Sequence, residues 1–322
     1  MTPRVLGDLR RRVADRAVVV GYRLGWSVLR ALPAGLAYRL FDVIADVATR
    51  REGKGVRRLR ANYARVRPEL APAELDRLVR EGMRSYMRYY CEAFRLPDRT
   101  PEELDAAVRT VGVDACRSVL EGGDAVVVFL GHMGNWDTAG AWSTTHLAPV
   151  TTVAERLEPE EVFREFFEFR ESLGMTILPL TGGPDPFTGL RAAVARGDFV
   201  CLVADRDLTH GGVEVDFCGR RARMAKGPAA LSLTTGAALF SVAIRYEDSP
   251  AVPGSRKGIV IDFSPRIHPP ATGTTHEKVA AMTQQCADYL GAAITAHTSE
   301  WHMLQRVFVD DLEAVRSGAR SA

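Results

Sequence analysis

Ala125-Val126-Val127-Val128-Phe129-Leu130 runs without a polar residue into Gly131-His132-Met133-Gly134-Asn135-Trp136-Asp137. Six apolar residues in succession, three of them valine, are the pattern of a strand covered on both faces, as in a parallel sheet. Working outward, 199–204 (FVCLVA) is a second such run, and 239–245 and 259–263 read as further strands. A short strand is expected at 176–180 and an outer one at 213–217. Helical segments fall between them: from about Asn135, at 162–173, at 187–196 closed by Gly197, at 228–235, and at 275–297 capped by Thr274 or Thr275. The uncharged run 227–244 approaches spanning length. It contains Pro228, Ser232, Thr234, Thr235 and Gly236, so it reads as a short helix and a buried strand. Alternating strands and helices indicate an α/β domain with a largely parallel central sheet flanked by helices.

Upstream, Pro72 opens an amphipathic helix in which Leu75, Leu78, Met83, Tyr86, Met87, Tyr90 and Phe94 recur at helical spacing. Further back, residues 1–60 hold thirteen Arg and Lys54 against five acids, a net +9. The whole chain is only +2, so the remainder carries −7. A basic end of this kind meets an anionic surface. Arg10–Arg12 precede apolar residues as in a signal peptide, but Arg23 and Arg30 interrupt the run well short of a span. Arg16, Arg23 and Arg30 fall along one helical stripe beside Val19, Val20, Leu24, Trp26 and Leu29. Pro33 ends that helix, and a second covers 36–48. Together they suit a peripheral association with lipid headgroups. The chain therefore divides into amphipathic membrane-associating helices (1–54), a catalytic domain (55–308) and a peripheral tail (309–322). Five cysteines with no C-x-x-C give neither a disulfide framework nor a zinc cluster and fit a reducing, cytosolic setting.

The chemistry is expected where the first strand ends. Open α/β sheets place their sites at the carboxyl ends of strands, and His132 stands there between two glycines that let the backbone turn. Asp137 falls in the first turn of the next helix, from which a tight turn can fold its carboxylate back onto the imidazole. A neutral imidazole can take the proton of an attacking hydroxyl, and a carboxylate on its other nitrogen fixes the tautomer and stabilises the imidazolium. No G-x-S-x-G elbow is present, so direct attack of an alcohol on a thioester is simpler than an acyl-enzyme.

The segment 129–137 (FLGHMGNWD) resembles the signature of the lipid A biosynthesis acyltransferase family, within the larger H-x-x-x-x-D glycerolipid acyltransferase group. Asn62, Arg170-x-x-x-Gly174, Asp205-Arg206-Asp207, Phe217-x-Gly219, Gly227-Pro228 and Trp301 agree in order, so the resemblance covers roughly 55–308. Within the family, the runs 204–208, 212–215 and 222–224 with Gly227-Pro228 most resemble the phosphatidylinositol mannoside acyltransferases. The resemblance implies transfer of a long acyl chain, palmitoyl, from acyl-CoA as co-substrate to a mannose hydroxyl of a phosphoinositide glycolipid. The chain departs from many lipid A enzymes in lacking an uninterrupted apolar anchor, which supports a peripheral protein on the cytoplasmic face of the membrane.

Other candidates surround this reading. Arg221, Arg223 and Lys226 precede a helix start and suit the CoA phosphates or the acceptor's phosphodiester. On the resemblance, Glu214 helps position the acceptor hydroxyl or the dyad. Arg170 reaches phosphate or an acid near the site, and Arg206, between two aspartates, reads as an ion-pair centre or a substrate contact. His210 and His302 lack partners at ligand spacing, so neither a metal nor a bound cofactor is expected. Nucleic acid is not expected as a partner. Four rivals stay open: an acyltransferase for another acceptor, such as a lipid A precursor or lysophospholipid; a non-catalytic lipid-binding protein; an acyl-CoA hydrolase; and, weakest, nucleic-acid binding by residues 1–60.

Overall fold

Both faces of the opening strand are covered, as its unbroken apolar character requires. The computed structural model describes residues 29–155, 160–183, 185–248 and 257–316. Its strands are β1 (Val108–Val111), β2 (Val126–Leu130), β3 (Val150–Ala154), β4 (Thr176–Pro179), β5 (Phe199–Val203), β6 (Val213–Phe217), β7 (Arg220–Met224), β8 (Ala238–Asp248) and β9 (Lys257–Phe263). Seven of them form one sheet in the order β1-β9-β8-β2-β5-β3-β4, while β6 and β7 form a separate antiparallel hairpin. Every pairing in the large sheet is parallel except β8 with β9. The architecture is therefore α/β with a mostly parallel centre, as the apolar runs indicate.

The helices are α1 (Ala34–Arg51), α2 (Lys54–Val66), α3 (Pro72–Arg95), α4 (Pro101–Ala107), α5 (Asp114–Glu121), α6 (Trp136–His146), α7 (Glu160–Ser172), α8 (Pro186–Ala195), α9 (Gly227–Thr235), α10 (Thr275–Ala296) and α11 (Val309–Arg316). On one face of the sheet, Val127, Phe129, Val200 and Leu239 pack with α9, α10 and the hairpin. On the other, Val126, Val128, Phe240 and Ile261 pack with Trp142 of α6 and Met175. The period-2 alternation of strand side chains thus feeds two cores.

Five short elements carry too little apolar signal to stand out in the sequence: α4, β1, α5, β3 and β7. Three of the five residues of β7 are arginine. The C-terminal segment also differs from the expected peripheral tail. Asp311 of α11 is gripped by Arg58 and Arg65 of α2, and Leu312 is buried. The basic stretch of α2 is thus partly an internal clamp. Asn62, buried on the same helix, donates to the carbonyls of Met303 and Gln305.

The expected arginine stripe and its apolar neighbours lie outside the described residues except at their end. There, Arg30 pairs with Asp98, its Nε 2.7 Å from Oδ2. The second amphipathic helix is present as α1. Its inner side, Ala37, Tyr38, Phe41 and Ala45, is buried, with Tyr38 and Phe41 packing beside Cys91, Tyr90 and Phe94 of α3. Its outer side exposes Leu36, Leu40, Val43, Ile44 and Val47. Among the described residues no helix is long and apolar enough to cross a membrane.

Candidate active site

The register of two central strands builds the site. Leu130 of β2 pairs with Val203 of β5, so two residues later His132 leaves the sheet beside Asp205. The imidazole Nδ1 lies 2.6 Å from Asp205 Oδ1. A carboxylate has only lone pairs to offer, so Nδ1 carries the proton and Nε2 is the basic nitrogen. Asp205 Oδ2 accepts the backbone N–H of His132 at 3.0 Å and the indole N–H of Trp301 at 2.9 Å. Burial of Asp205 opposes its charge. The charge of His132 and the ring, indole and amide hydrogen bonds outweigh that penalty and hold its carboxyl below the usual range.

The loop after β2 is fixed by backbone contacts. Gly134 donates to the Glu300 carbonyl at 3.0 Å, and His302 N–H donates to the His132 carbonyl at 2.7 Å. Gly134 sits at φ 61°, and a Cβ there would lie 2.4 Å from the Ile244 carbonyl oxygen, so only glycine fits. Because the amides of His132, Met133 and Gly134 all have protein acceptors, they are not free to receive an oxyanion.

Asp137 does not reach the imidazole as expected; this is a correction to the sequence reading. Its Oδ1 lies 2.7 Å from Arg170 Nε and its Oδ2 accepts Tyr89 O–H at 2.7 Å. The physical reason is the α6 start. Asn135 caps that helix by accepting the Thr138 N–H at 2.9 Å, and Asp137 is buried with a guanidinium as partner. Burial disfavours the charged form of Arg170, but Asp137 and the Tyr89 hydroxyl overcome it and raise its pKa. Arg170, expected to meet phosphate or an acid, meets the acid.

A cavity of about 810 Å³ opens onto these groups. His132, Asp137 and Arg170 line it, with Tyr89 and Trp136 beside them, and Arg206 lies farther along the wall. Its interior is apolar, built from such residues as Val128, Leu130, Phe199, Val242, Ile261 and Phe263. Arg206 is mostly buried and contacts Glu155 at 3.2 Å, so it is both an ion-pair partner and a wall residue.

The remaining expected residues fall elsewhere. β6 alternates, burying Val213, Val215 and Phe217 and turning Glu214 outward. Glu214 lies 2.7 Å from Arg223 and 3.6 Å from Arg221 across the hairpin, and it does not line the cavity. The carboxylate in contact with the His132 ring is that of Asp205. Arg221 and Arg223 are likewise held by hairpin carboxylates rather than aimed into the cavity. Lys226 stands at the N-cap position of α9 with no side-chain hydrogen bond to the helix, and the first residues of α9, Gly227 and Pro228, do line the cavity. His302 is buried, and its Nε2 meets Ser85 Oγ at 2.9 Å. Burial pushes its pKa down to about 3, so it packs as a neutral ring. No group of side chains among the described residues is arranged to hold a metal ion.

Sequence reasoning missed Asp205 as the partner of His132, although both stand just past a buried apolar run. That shared position was the available signal, but strand adjacency was not visible.

Comparison with known proteins bears on this constellation. The family model described as bacterial lipid A biosynthesis acyltransferase matches residues 7–309. A phosphatidylinositol mannoside acyltransferase of Mycolicibacterium smegmatis is 42% identical over 299 residues, covering 92% of this chain and 93% of its own. One of Mycobacterium tuberculosis is 40% identical over 318 residues, covering 98% of this chain and 96% of its own.

Proposed function

Because the chain belongs to the bacterial lipid A biosynthesis acyltransferase family, we propose that it moves a long acyl group, palmitoyl, from acyl-CoA to a mannose hydroxyl of a phosphatidylinositol mannoside. The acceptor follows from the names of the two mycobacterial relatives. The observation that carries the chemistry is the 2.6 Å contact of His132 Nδ1 with buried Asp205, on an imidazole that lines the cavity.

In this mechanism Nε2 takes the proton of the acceptor hydroxyl as its oxygen attacks the thioester carbonyl. Asp205 stabilises the imidazolium without itself becoming protonated. The tetrahedral intermediate collapses, the C–S bond breaks, and the leaving sulfur takes the proton from Nε2. Ester and free CoA thiol result, and the base is restored. Arg170, held by Asp137 through Nε and Nη2, lines the same cavity as His132 and is the cation for the developing oxyanion. Asp137 acts by holding that guanidinium. The apolar cavity takes the acyl chain, and Lys226 with the α9 N-terminus suits a CoA phosphate.

The outer stripe of α1 supports a peripheral seat on an anionic membrane. Leu36, Leu40, Val43, Ile44 and Val47 recur at helical spacing, with Arg39, Arg50 and Arg51 on the same helix. The test is mass spectrometry of products from palmitoyl-CoA offered with several lipid acceptors, with His132→Ala as control. Acylated mannoside from the parent chain alone is expected. A different acylated lipid would replace the acceptor assignment, and CoA release without any acceptor would favour a hydrolase.

A further inference from the structure

Glu92 is a buried acid on α3, 2% exposed, that the mechanism above does not use. It accepts hydrogen bonds from three separate elements: Tyr38 O–H of α1 at 3.2 Å, Asn135 Nδ2 at 2.9 Å and Tyr246 O–H of β8 at 2.9 Å. Arg88, one turn earlier, stands 3.7 Å from it with its guanidinium over the Tyr38 and Tyr246 rings. A carboxylate this deep is costly unless its lone pairs are occupied, and here they are.

The two ends of this network matter. One is α1, whose opposite side is the exposed apolar stripe. The other is Asn135, fully buried in the loop that carries His132. Asn135 uses both ends of its amide: its oxygen caps α6 at Thr138 N–H, and its NH₂ donates to Glu92. Only one amide orientation satisfies both. If Asn135 flipped, its NH₂ would face the Thr138 N–H and the cap of the helix bearing Asp137 would be lost.

We propose that Glu92 is a positioning residue: it locks the Asn135 cap and, through Tyr38, couples the seating of α1 on a lipid surface to the geometry of the 131–137 loop. The kinetic half of this proposal rests on the acyltransferase reading; the structural half rests only on the lipid-surface seat of α1. The test uses the full chain with vesicles of phosphatidylcholine and phosphatidylglycerol. Hydrogen exchange of the 131–140 segment should slow when vesicles are added to the parent protein. In Tyr38→Phe and Glu92→Gln that response should vanish while both variants still sediment with vesicles. In turnover, Glu92→Gln should lower kcat about tenfold with KM for the acyl donor unchanged. Tyr38→Phe should lower it about threefold, and the double variant should match Glu92→Gln alone.

An unchanged 131–140 exchange in the vesicle-bound parent would overturn the coupling. So would a Tyr38→Phe variant that responds like the parent, or losses in the double variant that simply multiply. Tyr38→Phe removes one hydroxyl and keeps the ring packed on α3, so it carries the test even where Glu92→Gln folds poorly. Exchange needs no turnover, so absence of product from the parent chain would remove the enzymatic reading and leave this arm decisive.

Discussion

Asp205 and Asp137 are almost equally buried, yet their partners differ in kind. Asp137 faces a guanidinium, a permanent cation, and a tyrosine hydroxyl. Asp205 faces an imidazole, an indole N–H and one backbone amide. The charge of Asp137 is already balanced before any reaction begins. Asp205 has three hydrogen-bond donors but no permanent cation among them, so a proton arriving on His132 finds a carboxylate ready for it. Position in the sequence favoured the wrong acid; strand register selects the right one.

The largest expected effect isolates that difference. His132→Ala should lower acyl transfer by about 10³-fold or more, measured as CoA release with acceptor present. Asp205→Asn should cost about 10²- to 10³-fold in kcat, because the amide keeps the shape but cannot balance an imidazolium, with a smaller loss of stability since the ionised carboxyl is favoured in the fold. Asp137→Asn should do the reverse. It strands the buried Arg170 cation, so stability should fall by about 3 kcal/mol in urea titration, with a smaller loss of rate. If Asp137→Asn proves the catalytically worse of the two while folding normally, the assignment of roles is inverted.

How much of this was legible beforehand follows from the same two residues. The apolar runs ending at Leu130 and Val203 declare buried strands, and the site's location follows from the His at one of their ends. A one-dimensional pattern does not say that β2 and β5 are neighbours, because their last positions lie 73 residues apart in the chain while the sheet aligns Leu130 with Val203. Asp137, five residues from His132, was the only nearby acid that local spacing could offer. Likewise, the basic run of β7 reads as a phosphate site until the hairpin sets it against Glu214 and Asp216. Helix caps such as Thr274, by contrast, depend on residues a few positions apart and were readable.

A second histidine, buried where His132 is partly exposed, sharpens the contrast. His302 has no carboxylate on it. Ser85 donates to Glu300, so His302 Nε2 donates to Ser85 Oγ, and Nδ1 has no hydrogen-bond partner. Its folded pKa is about 3, against about 6.5 in an unfolded chain. Between those values the unfolded chain binds a proton that the folded one refuses, so stability falls as pH drops through this window. Measured against His302→Gln, the parent should lose about 3 kcal/mol more between pH 7 and pH 4. An identical pH dependence in both proteins would mean that the ring is charged or exposed in the fold.

The smallest effect tests the acid that sequence reasoning favoured on resemblance. Glu214 is half-exposed on the outer side of β6 and lies against Arg223, whose hydrogen bond holds its carboxyl below the usual range. An exposed hairpin pair of this kind contributes within about 1 kcal/mol to stability, since solvent screens it. Glu214→Gln keeps one acceptor for Arg223 and touches no wall of the cavity. Turnover should therefore change less than about twofold, and KM for the acyl donor should stay where it was. A loss approaching that of Asp205→Asn would mean that the hairpin closes over the cavity during the reaction and brings Glu214 to the substrate. The two carboxylates would then have to share the role that strand register gives to Asp205.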